Sequence, residues 1–296
     1  MKKKISPARL VFLIFDVLIM LFVAFMCFVP VWHLIMSSMS DPTALNAHRG
    51  FLFLPAKNID LTAYKIIMKY KKLWSAYRNT ILYILSTCGL TAVLTTLSGY
   101  IFSRKRFYFR NAFMMLISFT MLFNGGMIPT YMVIRRVGLL DSPLSMVIPG
   151  ALTVFNIIIM RTSMENVPSE LEDAARIDGA SDLKVLFVVI LPLCKATFTV
   201  IMLFTAVYKW NDYFSGLLYL PTKSEYYPLQ MVLRQILITA KIDLTSTSND
   251  VQNAASLYAK EIEYACIVVS TLPILCLYPF VQKYFVTGMT LGAVKS

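Results

Sequence analysis

Six apolar runs, each about as long as a bilayer is thick, constrain this chain more than anything else in it. They cover about 10–36, 79–102, 111–134, 143–160, 196–220 and 264–286. A helix rises about 1.5 Å per residue, so roughly 20 apolar residues cross a hydrocarbon core about 30 Å thick. Lipid offers no partner to a backbone N–H or C=O, which leaves the helix as the only way for such a run to cross. The expected fold class is an all-α membrane protein with six transmembrane helices. Composition agrees: of 296 residues, 57% are hydrophobic and 15% charged, where soluble domains carry about 25% charged residues.

The first run follows the basic start Met1–Lys4. It is too long for the apolar core of a signal peptide, and the Ser37–Pro42 stretch has no A-x-A cleavage pattern, so it reads as a retained span. Six spans place both termini on one side. Lys2–Lys4 and the Arg104–Arg110 segment RKRFYFR are dense basic clusters in short segments, which assigns that side to the cytoplasm. A net charge of +12 then reads as attraction to anionic headgroups. A nucleic-acid role is disfavoured, since no soluble domain carries a basic stripe.

Function classes narrow further. The five cysteines show no C-x-x-C spacing and form neither a disulfide framework nor a zinc site. His33 and His48 are the only histidines and stand outside any H-E-x-x-H pattern, so neither metal ligands nor catalytic residues are expected. Gly-Lys never occurs, which removes the phosphate-cradling P-loop.

Between the spans, segment 37–78 carries LTAYKIIMKYKKLW, where Lys65, Lys69 and Lys72 fall on one face of a surface helix at the headgroups. The second run places Thr87, Thr91, Thr95 and Ser98 at helical spacing, a packing stripe. FNGGMIPTY, with Asn124, Gly125, Gly126 and Pro129, interrupts the third run; such a break marks either a pathway or a kink. Outer segment 221–263 combines the amphipathic PLQMVLRQILI with the polar loop STSNDVQNAAS.

The stretch SELEDAARIDGASDLKVLFVVILP, between runs four and five, carries seven charges between Glu170 and Lys184. Ser169 and Glu172 have the spacing of a capping box. Glu170, Glu172 and Asp173 fall where the helix dipole favours anions. Gly179 after Asp178 predicts the helix stop, and Ser181 the cap of a second helix that leads back to the membrane before Pro192. On spacing alone, this is either an ordinary capped loop or a docking device.

Residues Asp173, Ala174, Ala175, Asp178, Gly179, Ala180, Phe187, Leu191 and Pro192 stand in the register of a known loop. The stretch closely resembles the EAA loop of membrane subunits of binding-protein-dependent ABC importers, with Asp173 where that family usually has Glu and with Glu172 preceding it. GGMIPTYMVIRRVGLLDS, KWNDYFSGLLYLP and YFVTGMTLGAVKS resemble the carbohydrate-uptake branch, the maltose-permease type and within it the complex-carbohydrate permeases. The resemblance implies the type I ABC importer permease fold, with 1–74 as an N-terminal transmembrane helix and outer segment. Residues 75–296 would be the permease transmembrane domain, containing the cytoplasmic EAA coupling loop 165–192. It implies as partners a second permease subunit, two ATP-binding subunits and an extracellular solute-binding protein, beside membrane lipid. ATP and Mg would be used by the ATP-binding subunits, with no cofactor bound by this chain. It also implies that Glu172, Asp173, Ala174, Ala175, Asp178, Gly179 and Ala180 couple to the ATPase.

Pathway candidates are Asn124, Asn156, Trp210, Asn211, Asp212 and Tyr213. Ionisable groups inside a span face a cavity or a partner. KWNDYF therefore reads two ways: a solute-facing set, or Lys209 paired with Asp212 beside a belt tryptophan. Two further classes compete with the importer subunit: a stand-alone ion-coupled carrier using Asp16 and the KWND group, and a membrane-embedded enzyme, for which no nucleophile and base pair up in the sequence.

Overall fold

The computed structural model describes residues 7–123, 125–242, 258–276, 279 and 282. Among these residues the chain is helical without a β-strand; one isolated bridge joins Ser40 and Ile59. It divides into two compact units, Met1–Tyr70 with Gln235–Leu272 and Lys71–Arg234 with Pro273–Ser296.

In the first unit, helix α1 (Pro7–Ser38) is long and apolar enough to cross a membrane. Its most apolar window is nowhere buried, so lipid or another chain must cover it. The segment that follows folds back on its end. Trp32 Nε1 donates to Phe53 O (2.9 Å), and Leu52 N donates to His33 Nδ1 (3.1 Å). His33 thus acts as a structural acceptor. Asp41 caps α2 (Pro42–Ala47) by accepting from Thr43 N and Ala44 N. Helix α3 (Thr62–Lys69) buries Ala63 and Ile67. It ends at Tyr70, which is extended, and α4 (Lys71–Ser103) begins at the next residue. Lys72 therefore does not share a helix with Lys65 and Lys69. Periodicity could not show this, because one extended residue leaves the apolar pattern intact on both sides of the break.

In the second unit, α4 is the axis. Its buried residues run Thr80, Tyr83, Thr87, Thr91, Thr95, Gly99 and on to Ser103, at intervals of three or four. They face α8 (Val154–Glu165) and α12 (Lys195–Trp210). Small side chains let these helices close up. At Gly99 a Cβ would come within 2.9 Å of Met160 Cγ, so a larger residue there would push α8 away. The threonine stripe is packing, as its spacing suggested, and Thr91 adds a bond by donating to Ala151 O (2.6 Å).

Among the described residues, the first two runs form single spanning helices. The third splits into α5 (Arg110–Leu122) and α6 (Met127–Arg136), which meet at 114°. The fourth is divided into α7 (Leu144–Val147) and α8, with Pro149 and Gly150 between them. That break frees backbone groups inside apolar surroundings, and the Thr91 bond to Ala151 satisfies one. The helix that begins the fifth run bends by 84° at Cys194 and stops after Trp210. The sixth is helical through 276, and its remainder lies outside the described residues. Hydropathy registers apolar residues but not turns, so a broken span and a continuous one read alike in the sequence.

Candidate functional site

The charged stretch forms a helical hairpin. Helix α9 (Ser169–Ile177) ends at Asp178, and Gly179 takes φ +78°. Ala180 N donates to Ala175 O and Gly179 N to Arg176 O, both at 3.0 Å, closing the last turn as a Schellman motif. A Cβ on Gly179 would meet nothing within 4 Å, so glycine is required there for its torsion and not for space. Ser181 caps α10 (Asp182–Lys184) by accepting from Lys184 N (3.4 Å). A π-helical segment, Val185–Ile190, and α11 (Leu191–Leu193) then lead to the bend. Pro192 lies inside this helical stretch, so the turn toward the membrane comes two residues later than the sequence suggested, at Cys194.

One expectation fails. Ser169 is the first helical residue, Pro168 holds the cap position, and no capping box forms. The Glu172 side chain turns the other way. Tyr100 Oη donates to its Oε1 (3.1 Å), Arg176 Nη2 donates to the same oxygen (2.9 Å), and Arg104 Nη1 binds Oε2. Two guanidinium groups and a phenol outcompete one backbone N–H, because charge-assisted bonds are roughly twice as strong as neutral ones. Burial opposes ionisation of Glu172. The hydrogen bond from Arg176, the charge of Arg104 and the bond from Tyr100 outweigh it and hold the carboxyl below its ordinary range.

The seven motif residues divide between two faces. Glu172, Ala175 and Ala180 point inward; both alanines pack against a cluster in which Val185, Leu186 and Ile190 are fully buried. Each such aliphatic side chain contributes about 1.5–3 kcal/mol when taken from water. Asp173, Ala174, Asp178 and Gly179 stand exposed on the outer face. Leu171 (44% exposed) and Ile177 (86%) join them there. The sequence reading missed these two. The signal was available: apolar residues three positions either side of Ala174, opposite the face that Glu172, Ala175 and Arg176 define. Arg104 and Tyr100 were also missed, and no spacing rule links them to residue 172. Beside the hairpin opens a cavity of about 930 Å3, lined with charges of both signs that include Lys105, Arg106, Glu170 and Asp173.

The described pathway candidates sit in different surroundings. Asn124 lies outside the described residues. Asn156 is buried in the first turn of α8, its N–H held by the Thr153 cap. Lys209 Nζ pairs with Asp212 Oδ2 at 3.0 Å, each side chain 4% exposed. Asp212 Oδ1 accepts from Ser215 N (3.1 Å). Lys209 lies against Gly150, where a Cβ would come within 3.0 Å of its Cε, so the pair is lodged at the break in the fourth run. Trp210 is buried, its ring 6.2 Å from that of Tyr77. Asn211 and Tyr213 are exposed, with Asn211 Nδ2 turned back to Val207 O. KWNDYF thus forms the internal pair, which is one of its two readings.

A bundle of apolar helices with a charged hairpin between two of them fits a polytopic membrane protein. The chain belongs to the family described as "Binding-protein-dependent transport system inner membrane component", which matches residues 5–291. The chain is 38% identical to Protein LplC of Bacillus subtilis over 95% of both chains. It is 35% identical to the polygalacturonan/rhamnogalacturonan transport system permease protein YtcP of the same organism, over 95% of this chain and 98% of that one. Among solved structures it matches a bacterial ABC transporter involved in the import of the acidic polysaccharide alginate, with TM-score 0.82 and 32% identity, covering 96% of this chain and 100% of that one. The fold is that of an ABC importer permease, a transport component of the inner membrane and not an enzyme.

Proposed function

We propose that this chain is one of two permease subunits in an ATP-driven importer and forms half of the path by which a carbohydrate, as an oligosaccharide or polysaccharide fragment, enters the cell. Support for the solute class comes from the names of its relatives, which refer to polygalacturonan, rhamnogalacturonan and arabinooligosaccharides. ATP and Mg belong to two ATP-binding partner subunits, and an extracellular binding protein delivers the solute. Both termini lie in the cytoplasm, on the side of the basic Arg104–Arg110 segment.

The observation that carries the reading is the outer face of α9. A helix of nine residues does not persist alone in water. This one is stopped by Gly179, backed by Ala175 and Ala180, and presents Leu171, Asp173, Ala174 and Ile177 outward. Ile177, almost fully exposed at the tip, is a residue whose burial in a partner groove is favourable by about 1.5–3 kcal/mol. When the ATP-binding subunits close, α9 moves with them and the attached helices change their tilt. Only contacts that differ between the two states drive such a shift.

Purification from native membranes tests this. The chain should bring with it an ATPase and a second permease, and cysteines placed at Asp173 or Ile177 should crosslink to the ATPase. A chain that purifies alone and still transports would be the ion-coupled carrier instead.

A further inference from the structure

The outer face of α9 has a role in that proposal; its inner face has none beyond packing. We infer that Glu172 is an internal latch rather than a partner contact: it locks α9 to the cytoplasmic end of α4, so that movement of the hairpin reaches the axial helix of its unit through one carboxylate. This rests on the coupling function proposed above and adds the route by which force leaves the hairpin.

Three observations carry it. First, Glu172 is 7% exposed, and both its oxygens are taken: Tyr100 and Arg104 reach them from α4 and the residue after it, Arg176 from its own helix. A carboxylate engaged in this way is closed to an outside partner, whereas Asp173 beside it stands in the open.

Second, Arg104 is shared. Its other terminal nitrogen, Nη2, donates to Met164 O (3.0 Å), in the last turn of α8, and its Nε donates to Ser103 Oγ. Helix carbonyls there lack intrahelical partners and favour a cation. One guanidinium thus ties the ends of α4 and α8 to the first turn of α9. A second arginine supports the same junction, as Arg161 Nε donates to Phe102 O (3.1 Å) and pairs with Glu165 (2.8 Å).

Third, the remaining contacts of the hairpin at Ala175 and Ala180 are apolar, and the Arg176–Asp182 pair stays within the hairpin. Apolar contact is non-directional and permits sliding. The bonds to Glu172 are directional, and they resist displacement both toward the membrane and away from it. The latch therefore carries a pull as well as a push.

The test uses the whole importer, copurified with its partners and reconstituted in proteoliposomes, with uptake and ATP hydrolysis measured on one preparation. Glu172→Gln keeps the size of the side chain and removes its charge. The complex should remain assembled and continue to hydrolyse ATP, while uptake per ATP falls about tenfold, within the range of coupling free energies between sites. The exchange Glu172→Arg with Arg104→Glu should restore most of that ratio, with Arg176 keeping Asp182 as its partner at 2.6 Å. Loss of the ATPase from the Glu172→Gln complex would show that Glu172 is a partner contact, and an unchanged ratio would show that the latch carries no force. Either result overturns the inference and leaves the coupling function standing. If Glu172→Gln does not accumulate, the exchange alone decides, and failure to restore uptake overturns the latch. A wild-type complex in which hydrolysis and uptake are unrelated would overturn the coupling function, and the latch with it.

Discussion

Two ion pairs in the second unit, one buried and one half-buried, solve the same problem in opposite ways. Lys209 and Asp212 are three residues apart at the end of α12, each 4% exposed, and they close on one another in a local loop at the break in the fourth run. Glu172 and Arg104 are 68 positions apart, and they join the first turn of a water-facing helix to the ends of two membrane helices. The first pair neutralises two charges where charge is costly. The second holds separate elements together where water is near enough to make the ionic form cheap. Sequence distance, more than strength, distinguishes a pair that satisfies itself from a pair that transmits.

The largest effect should come from breaking the local pair. Lys209→Met leaves Asp212 charged and buried without its cation, and should lower stability by about 3–5 kcal/mol. Adding Asp212→Asn should recover most of it, because the amide oxygen still accepts from Ser215 N and no uncompensated charge remains. Thermal unfolding in nanodiscs reads both variants. A double variant as unstable as the single one would mean that the pair does more than neutralise itself.

Next comes the distant pair. Glu172→Ala strands two guanidinium groups that can partly reach water, so its cost should be smaller, about 2–3 kcal/mol. The loss should appear as faster amide exchange across residues 169–180, with α12 unaffected. The Glu172 carboxyl sits below its ordinary range, so its stabilisation is present above pH about 4.5 and is lost as pH falls through the depressed value.

Smaller again is the hinge between outer and inner faces. Gly179→Val must place a β-branched residue at φ +78°, at a cost of about 1–2 kcal/mol, and should uncouple hydrolysis from uptake. Gly179→Asn should be far milder, since asparagine tolerates that region. Normal uptake by the valine variant at normal expression would count against the hairpin as the coupling element.

The smallest effect concerns a carboxylate that has no cationic partner among the described residues. Glu261, in the first unit just before the sixth apolar run, is fully buried, and among the described residues neither of its oxygens finds a well-formed hydrogen bond. Burial, then the charge of Asp60, push its carboxyl up to about 7 against the pull of the Ala63 N–H. A raised carboxylate penalises folding progressively from pH about 4.5 up to about 7 and by a constant amount above that. Glu261→Gln should therefore stabilise the protein more at pH 8 than at pH 5, where the penalty has barely begun.

Sequence alone determined whatever depends on neighbours a few residues apart. Hydropathy gave the membrane and the helices. The spacing of Asp178, Gly179 and Ser181 gave the turn of the hairpin, and the i, i+3 relation of Lys209 and Asp212 offered their pairing as one of two readings. Backbone torsions and one turn of helix are short-range, so the residues involved are already adjacent in the chain. The tertiary structure alone decided where the apolar runs break, that Glu172 leaves its capping position for Arg104 and Tyr100, and which motif residues face outward. Each of those outcomes is a competition between a local partner and a distant one of greater charge or better fit. The chain must close on itself before the distant partner exists.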